Sequence, residues 1–138
     1  MAIQQFLTTS FKQDVLLGVH DLETDNIKIA LFLATADLGA DTTVYTTASE
    51  TSGAGYTAGG NTLTGVTVLT SGTTAYVDFA DALWSPASFT ARGALIYNAS
   101  KSNKAIAVLD FGSDKTATTS FTVQMPANTA TSALIRFA

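Results

Sequence analysis

From Leu63 to Phe137 apolar residues come in short runs, several of them with large side chains at every second position, and Gly, Pro, Asn or Ser closes the runs. A period of two turns one face of a strand toward a core and the other toward water. No connection between these runs reads as a crossover helix, so neighbouring strands are expected to pair antiparallel.

The runs can be read one by one. Leu63 has one parity and Val66 and Val68 the other, with Gly65 placed where a bulge would absorb the slip. Ser71-Gly72 is expected to form a two-residue hairpin turn into Ala75, Val77 and Phe79, which alternate with Thr74, Tyr76 and Asp78. Pro86 separates Leu83-Trp84 from a strand through Ala94, Leu95, Ile96 and Tyr97. Asn98 to Lys104 loops back into Ile106–Phe111, Gly112 ends that strand, and Phe121, Val123 and Met125 precede Pro126 and a last strand at Ala133–Phe137. Upstream, Ile27, Ile29, Leu31 and Leu33 alternate with Lys28, Ala30, Phe32 and Ala34, a strand with one side in the core and the other partly covered. About seven or eight strands at this spacing predict an all-β fold, a two-sheet antiparallel β-sandwich of jelly-roll or immunoglobulin-like type.

One segment reads as a helix. Ser10 is placed to cap it, Gln13 follows three positions later, Phe11, Val15 and Leu16 fall near one face, and Gly18 closes it. The 138 residues make a single domain, 1–138, with an N-terminal segment 1–26 carrying this helix. Between Asp41 and Asn61 the periodicity gives way to Thr, Ala, Ser and Gly, with Tyr45 and Tyr56 the large aromatic groups. Unpatterned connections beyond ~12–15 residues are usually functional or disordered, so this 41–61 loop is the most informative irregularity in the chain.

Composition narrows the function. The chain has no cysteine, which excludes disulfides, thiol nucleophiles and thiolate metal sites. Charged residues make up only 13 %, with seven Lys+Arg against eleven Asp+Glu and no basic run, so no nucleic-acid partner is predicted. The longest apolar run, Ile29–Ala34, is far short of the ~20 residues of a membrane helix. The opening residues lack the pattern of a secretory signal, which predicts synthesis in a cytoplasm and gives the triplet Asn98-Ala99-Ser100 no glycosylation role. A neutral surface rich in Thr, Ser and Ala suits a protein packed against copies of itself or a scaffold.

Catalytic chemistry has little to work with, and no enzyme activity and no cofactor are expected. The one histidine, His20, follows the helix and reads as a C-terminal imidazole favoured by the dipole. Asp78, Asp81 and Asp110 would suit calcium if the fold joined them, while solvation of Asp78 on a polar strand face is the simpler account. The stretch Gly53-Ala54-Gly55-Tyr56-Thr57-Ala58-Gly59-Gly60 lacks the Lys-Ser/Thr ending of a phosphate loop and is assigned to flexibility. Trp84 is either a contact residue or a core filler with its ring N–H bonded to a carbonyl.

Several stretches together carry a resemblance: Ser10 to Gly18 with Val19-His20, Lys28–Phe32, Gly55–Gly60, Val77-Asp78-Phe79-Ala80-Asp81, Phe89–Asn98 and Ala107–Gly112. In these the chain resembles small virion structural proteins of tailed bacteriophages, the capsid decoration or cement-like group. The resemblance implies a virion location, most simply the capsid exterior, with the major capsid protein lattice as partner and self-association into dimers or trimers. It also admits a small tail or fibre-associated protein, including a glycan-binding host-recognition module. Tyr45 and Tyr56 are the candidate partner-binding residues, because aromatic side chains are the usual energetic centres of interfaces. The alternative is that both fold back and cover one end of the sandwich.

Overall fold

Ala94, Leu95, Ile96 and Tyr97 form a continuous apolar run rather than an alternating one, and a strand of that kind needs cover on both faces. It receives that cover. The computed structural model describes residues 2–138 and contains β1 (Phe6–Leu7), α1 (Thr9–Leu16), β2 (Ile27–Phe32), β3 (Asn61–Thr62), β4 (Thr67–Ser71), β5 (Thr74–Asp78), β6 (Ala82–Trp84), β7 (Phe89–Asn98), β8 (Lys104–Ala117), β9 (Phe121–Val123) and β10 (Ile135–Phe137). The fold is mostly β with one helix, and every pairing between these strands is antiparallel. Backbone hydrogen bonds divide the strands among a five-stranded sheet of order β1-β8-β7-β2-β3, a three-stranded sheet β10-β5-β4 and the pair β6-β9.

One face of the five-stranded sheet meets the main core. There Ile27, Ile29, Leu31, Ile96 and Ile106 join Phe11, Val77, Phe79, Trp84, Phe121 and Ile135. On the other face Ala30, Phe32, Leu95, Tyr97 and Val108 pack with Ile3, Ala36 and Leu38, so β2 is covered on both sides rather than on one and a part. The second cover comes from the segments at residues 3 and 38, which bridge each other. None of the helices among the described residues is long and apolar enough to cross a membrane.

Several local expectations shift, each for a tertiary reason. The helix is capped by Thr8, not Ser10: the Thr8 hydroxyl accepts from Phe11 N–H at 3.1 Å and itself donates to carbonyls of β8, so the cap also docks the helix. Leu16 points to solvent, while Phe11 is fully buried. Gly65 lies not in a bulge but where the chain leaves β3 for β4 in a different sheet, so the parity change marks a change of sheet. The hairpin turn is Gly72-Thr73, one residue later, because Ser71 pairs with Thr74. Gly112 (φ +82°) does not end β8; between the pairs Gly93↔Asp110 and Ala91↔Lys115 a single residue, Arg92, faces four, and β8 bends there and runs on to Ala117.

Candidate functional site

The 41–61 loop solves a problem left by the short strand β3. β3 covers the free edge of β2 only at Lys28 and Ile29. Beyond that point the edge carries backbone groups of buried residues, which must be paired. The loop supplies the partners: Thr51 N–H donates to the Leu31 carbonyl (2.9 Å), Leu33 N–H donates to the Ser49 carbonyl (2.9 Å), and Leu31 N–H donates to the hydroxyl oxygen of Tyr56 (2.8 Å). A phenol thus takes the place of a missing strand.

Glu50 holds the arrangement together. Its carboxylate accepts from the Tyr45 hydroxyl (2.7 Å), the Tyr56 hydroxyl (2.6 Å) and Gly59 N–H (2.8 Å). The Tyr97 hydroxyl on β7 donates to the Gly59 carbonyl (2.6 Å), and the Tyr45 ring stacks on the Tyr97 ring with centroids 4.6 Å apart. Burial raises the phenol pKa of Tyr45 and of Tyr56 above the ordinary value, and hydrogen bonding to Glu50 adds to both shifts. Tyr97 is pushed up to about 12 by burial and by the Glu50 charge. All three therefore stay protonated donors at neutral pH.

Tyr45 and Tyr56, the candidate partner-binding residues, are accordingly brought together, but with both hydroxyls committed to Glu50 and the Tyr56 ring packed against Trp84 and Phe89. They fold back onto the sheet and set the shape of the loop. What faces solvent is a crest of Thr43, Val44, Thr46, Thr47 and Ala48, and a second of Ser52 to Gly55 with Thr57 and Ala58. Glu50 was the residue missed, and its signal was present: it is the one charged side chain between Asp41 and Asn61. The glycines of this loop serve close approach rather than flexibility, since a Cβ at Gly60 would collide with the Ile29 carbonyl and one at Gly55 with the Pro86 carbonyl.

The remaining candidates fall elsewhere. His20 is not an exposed helix-end cation: its side chain is buried, Asn98 Nδ2 donates to its Nδ1 (3.0 Å), and Asp14 Oδ2 lies 3.5 Å from its Nε2. Burial holds its pKa below the ordinary 6.5 despite the opposing pull of Asp14. Asn98, of the glycosylation triplet, is fully buried and also donates to Asp25 (2.8 Å). Asp78 is buried, not solvated; one oxygen accepts from Phe79 N–H (2.8 Å), the other has no hydrogen-bond partner among the described residues, and desolvation raises its pKa.

Asp81 accepts from Met125 N–H, and Asp110 accepts from Arg92 and from Gly112 N–H, so the three carboxylates have separate tasks. No cluster of three metal-ligating side chains occurs among the described residues. Trp84 is a core filler whose ring N–H lacks a described partner. A groove of about 780 Å³ lies between the distal half of β8 and β9, with Phe111, Phe121 and Met125 beside Gln5, Thr122 and Gln124. No family model, curated protein or solved structure matches this chain.

Proposed function

We propose that this chain is a structural protein of a tailed-phage virion, a decoration or cement protein on the outer surface of the major capsid lattice. The scaffold in this reading is a two-layer sandwich, the five-stranded sheet facing the three-stranded and two-stranded sheets together across the main core. The chain acts by shape and transforms no substrate. The observation that carries the reading is the 41–61 loop: a neutral crest of small side chains, held to the sheet by a partly buried carboxylate with three donors. A surface preorganised in this way loses little entropy on docking, and repetition over a lattice multiplies a modest affinity per copy.

Tyr45 and Tyr56 enter as the residues that shape the contact, and the exposed crest touches the partner. The test is occupancy on purified shells of the parent virus lacking this protein. Ala48→Lys and Ala58→Lys, both exposed, should abolish binding with melting unchanged; undiminished occupancy overturns the loop as the contact. The second reading, a tail-associated glycan-binding module, is favoured by the β8/β9 groove, where amide and hydroxyl side chains flank aromatic rings. Glycan binding lost in Gln124→Ala, with no shell binding, would decide for it.

A further inference from the structure

The most exposed large apolar side chains among the described residues sit together at the C-terminal end of α1. Leu16 is 88 % and Leu17 69 % exposed, where a helix end in a solitary protein normally carries polar residues. They lie in the chain between Val15 and Gly18, both of which line a groove of about 440 Å³. The lining of that groove is mostly apolar, with Phe11 and Val15 from α1, Leu22 from the following turn, and Val77 and Ile135 from the three-stranded sheet, beside His20, Asp21 and Tyr76. Val68 and Phe137, 47 % and 44 % exposed, form the far wall on the same face of that sheet, because they pair with Val77 and Ala75.

One face therefore presents an apolar knob and, beside it, an apolar recess. That combination is self-complementary about a two-fold axis, since the knob of each copy meets the recess of the other. The recess has the space: a cavity of ~150 Å³ already holds a benzene ring. The area is also of the right order. Taking ~180 Å² for a fully exposed large apolar side chain, the four residues leave roughly 450 Å² in water. A homodimer interface of standard size needs about 500 Å² of apolar surface from each partner.

Extension of the sheet is the less fitting mode. β4 is an edge strand without a charged residue, but the carboxylate of Glu23 accepts from its outward Val68 N–H (3.0 Å) and blunts that edge. We propose that two copies of this chain associate through this face about a two-fold axis, the Leu16-Leu17 knob of each seated in the α1/β4/β10 groove of the other. The proposal stands independently of what the 41–61 loop binds.

The experiment is sedimentation equilibrium of the purified full chain up to about 100 μM, where a Kd of ~10 μM leaves most of it dimeric. Wild type should be a dimer. Leu16→Asp/Leu17→Asp, which alters only exposed side chains, should be a monomer with an unchanged circular dichroism spectrum and a melting temperature that no longer rises with protein concentration, and Val68→Lys, which obstructs the groove, should also be a monomer. Mixing these two variants should restore part of the dimer, because one intact knob then meets one intact groove. A monomeric wild type, or a double variant that remains dimeric, overturns the proposal. So does a monomeric wild type whose double variant loses shell occupancy, which would give the face to the lattice instead.

Discussion

Replacing Tyr56 by phenylalanine removes one oxygen and leaves the ring packing against Trp84 and Phe89 in place. That oxygen donates to Glu50 and accepts from Leu31 N–H, and Leu31 is 0 % exposed. An N–H left unpaired in the interior costs ~1–3 kcal/mol, and a lost hydrogen bond to a charged group contributes ~1.5–3 kcal/mol before compensation. Glu50 retains Tyr45 and Gly59 as donors, which limits the second loss. The expected destabilisation is ~3 kcal/mol, and at a few degrees per kcal/mol for a chain of this size the melting temperature should fall by roughly 10 °C.

Tyr45→Phe is the control. It also removes a bond to Glu50, but leaves no backbone donor orphaned and keeps the stack on Tyr97, so its cost should be ~1 kcal/mol. Urea denaturation of the two variants at pH 7 measures the difference, and amide exchange at Leu31 should accelerate in Tyr56→Phe alone. Equal stabilities within about 0.5 kcal/mol would refute the claim that the phenol completes the edge of β2.

Three further outcomes are expected. Gly60→Ala places a methyl group against the Ile29 carbonyl at a positive φ, so the variant should lose more than ~3 kcal/mol or fail to fold, as read by circular dichroism. His20 has a lowered pKa in the fold, so the unfolded chain takes up this proton first; the stability tied to neutral His20 is complete above pH 6.5 and declines below it, by at most ~1.4 kcal/mol per pH unit, a slope His20→Gln should lack in pH-dependent melts. Asp78 has a raised pKa, so its ionisation works against the fold as pH rises through the folded value, and the stability of Asp78→Asn relative to wild type should increase between pH 3 and pH 7; a constant difference would show that Asp78 ionises without cost.

Much of the architecture was legible because its signals are local. The alternation in Ala75, Val77 and Phe79 and the Gly72 turn define the β4–β5 hairpin to within one residue, and Gly18 closes α1 as read. What misled was reading polar residues by their own strand. Asp78 occupies a polar parity position and is nonetheless buried, at the end of β5 between Val77 and Phe79 of the main core. Asn98, expected only to open a polar loop, is a fully buried donor linking His20 and Asp25, residues more than seventy positions away.

Sequence alone determined that this chain forms short antiparallel strands with one helix, that thiol chemistry is closed to it, and that residues 41–61 form its longest departure from a pattern. Only the tertiary structure decided the division of strands among three sheets, the inward turn of Tyr45 and Tyr56, and the role of Glu50 between them. Side-chain period and turn propensity are properties of consecutive residues, whereas the partner of a buried polar group is set by segments that meet only after the chain has folded.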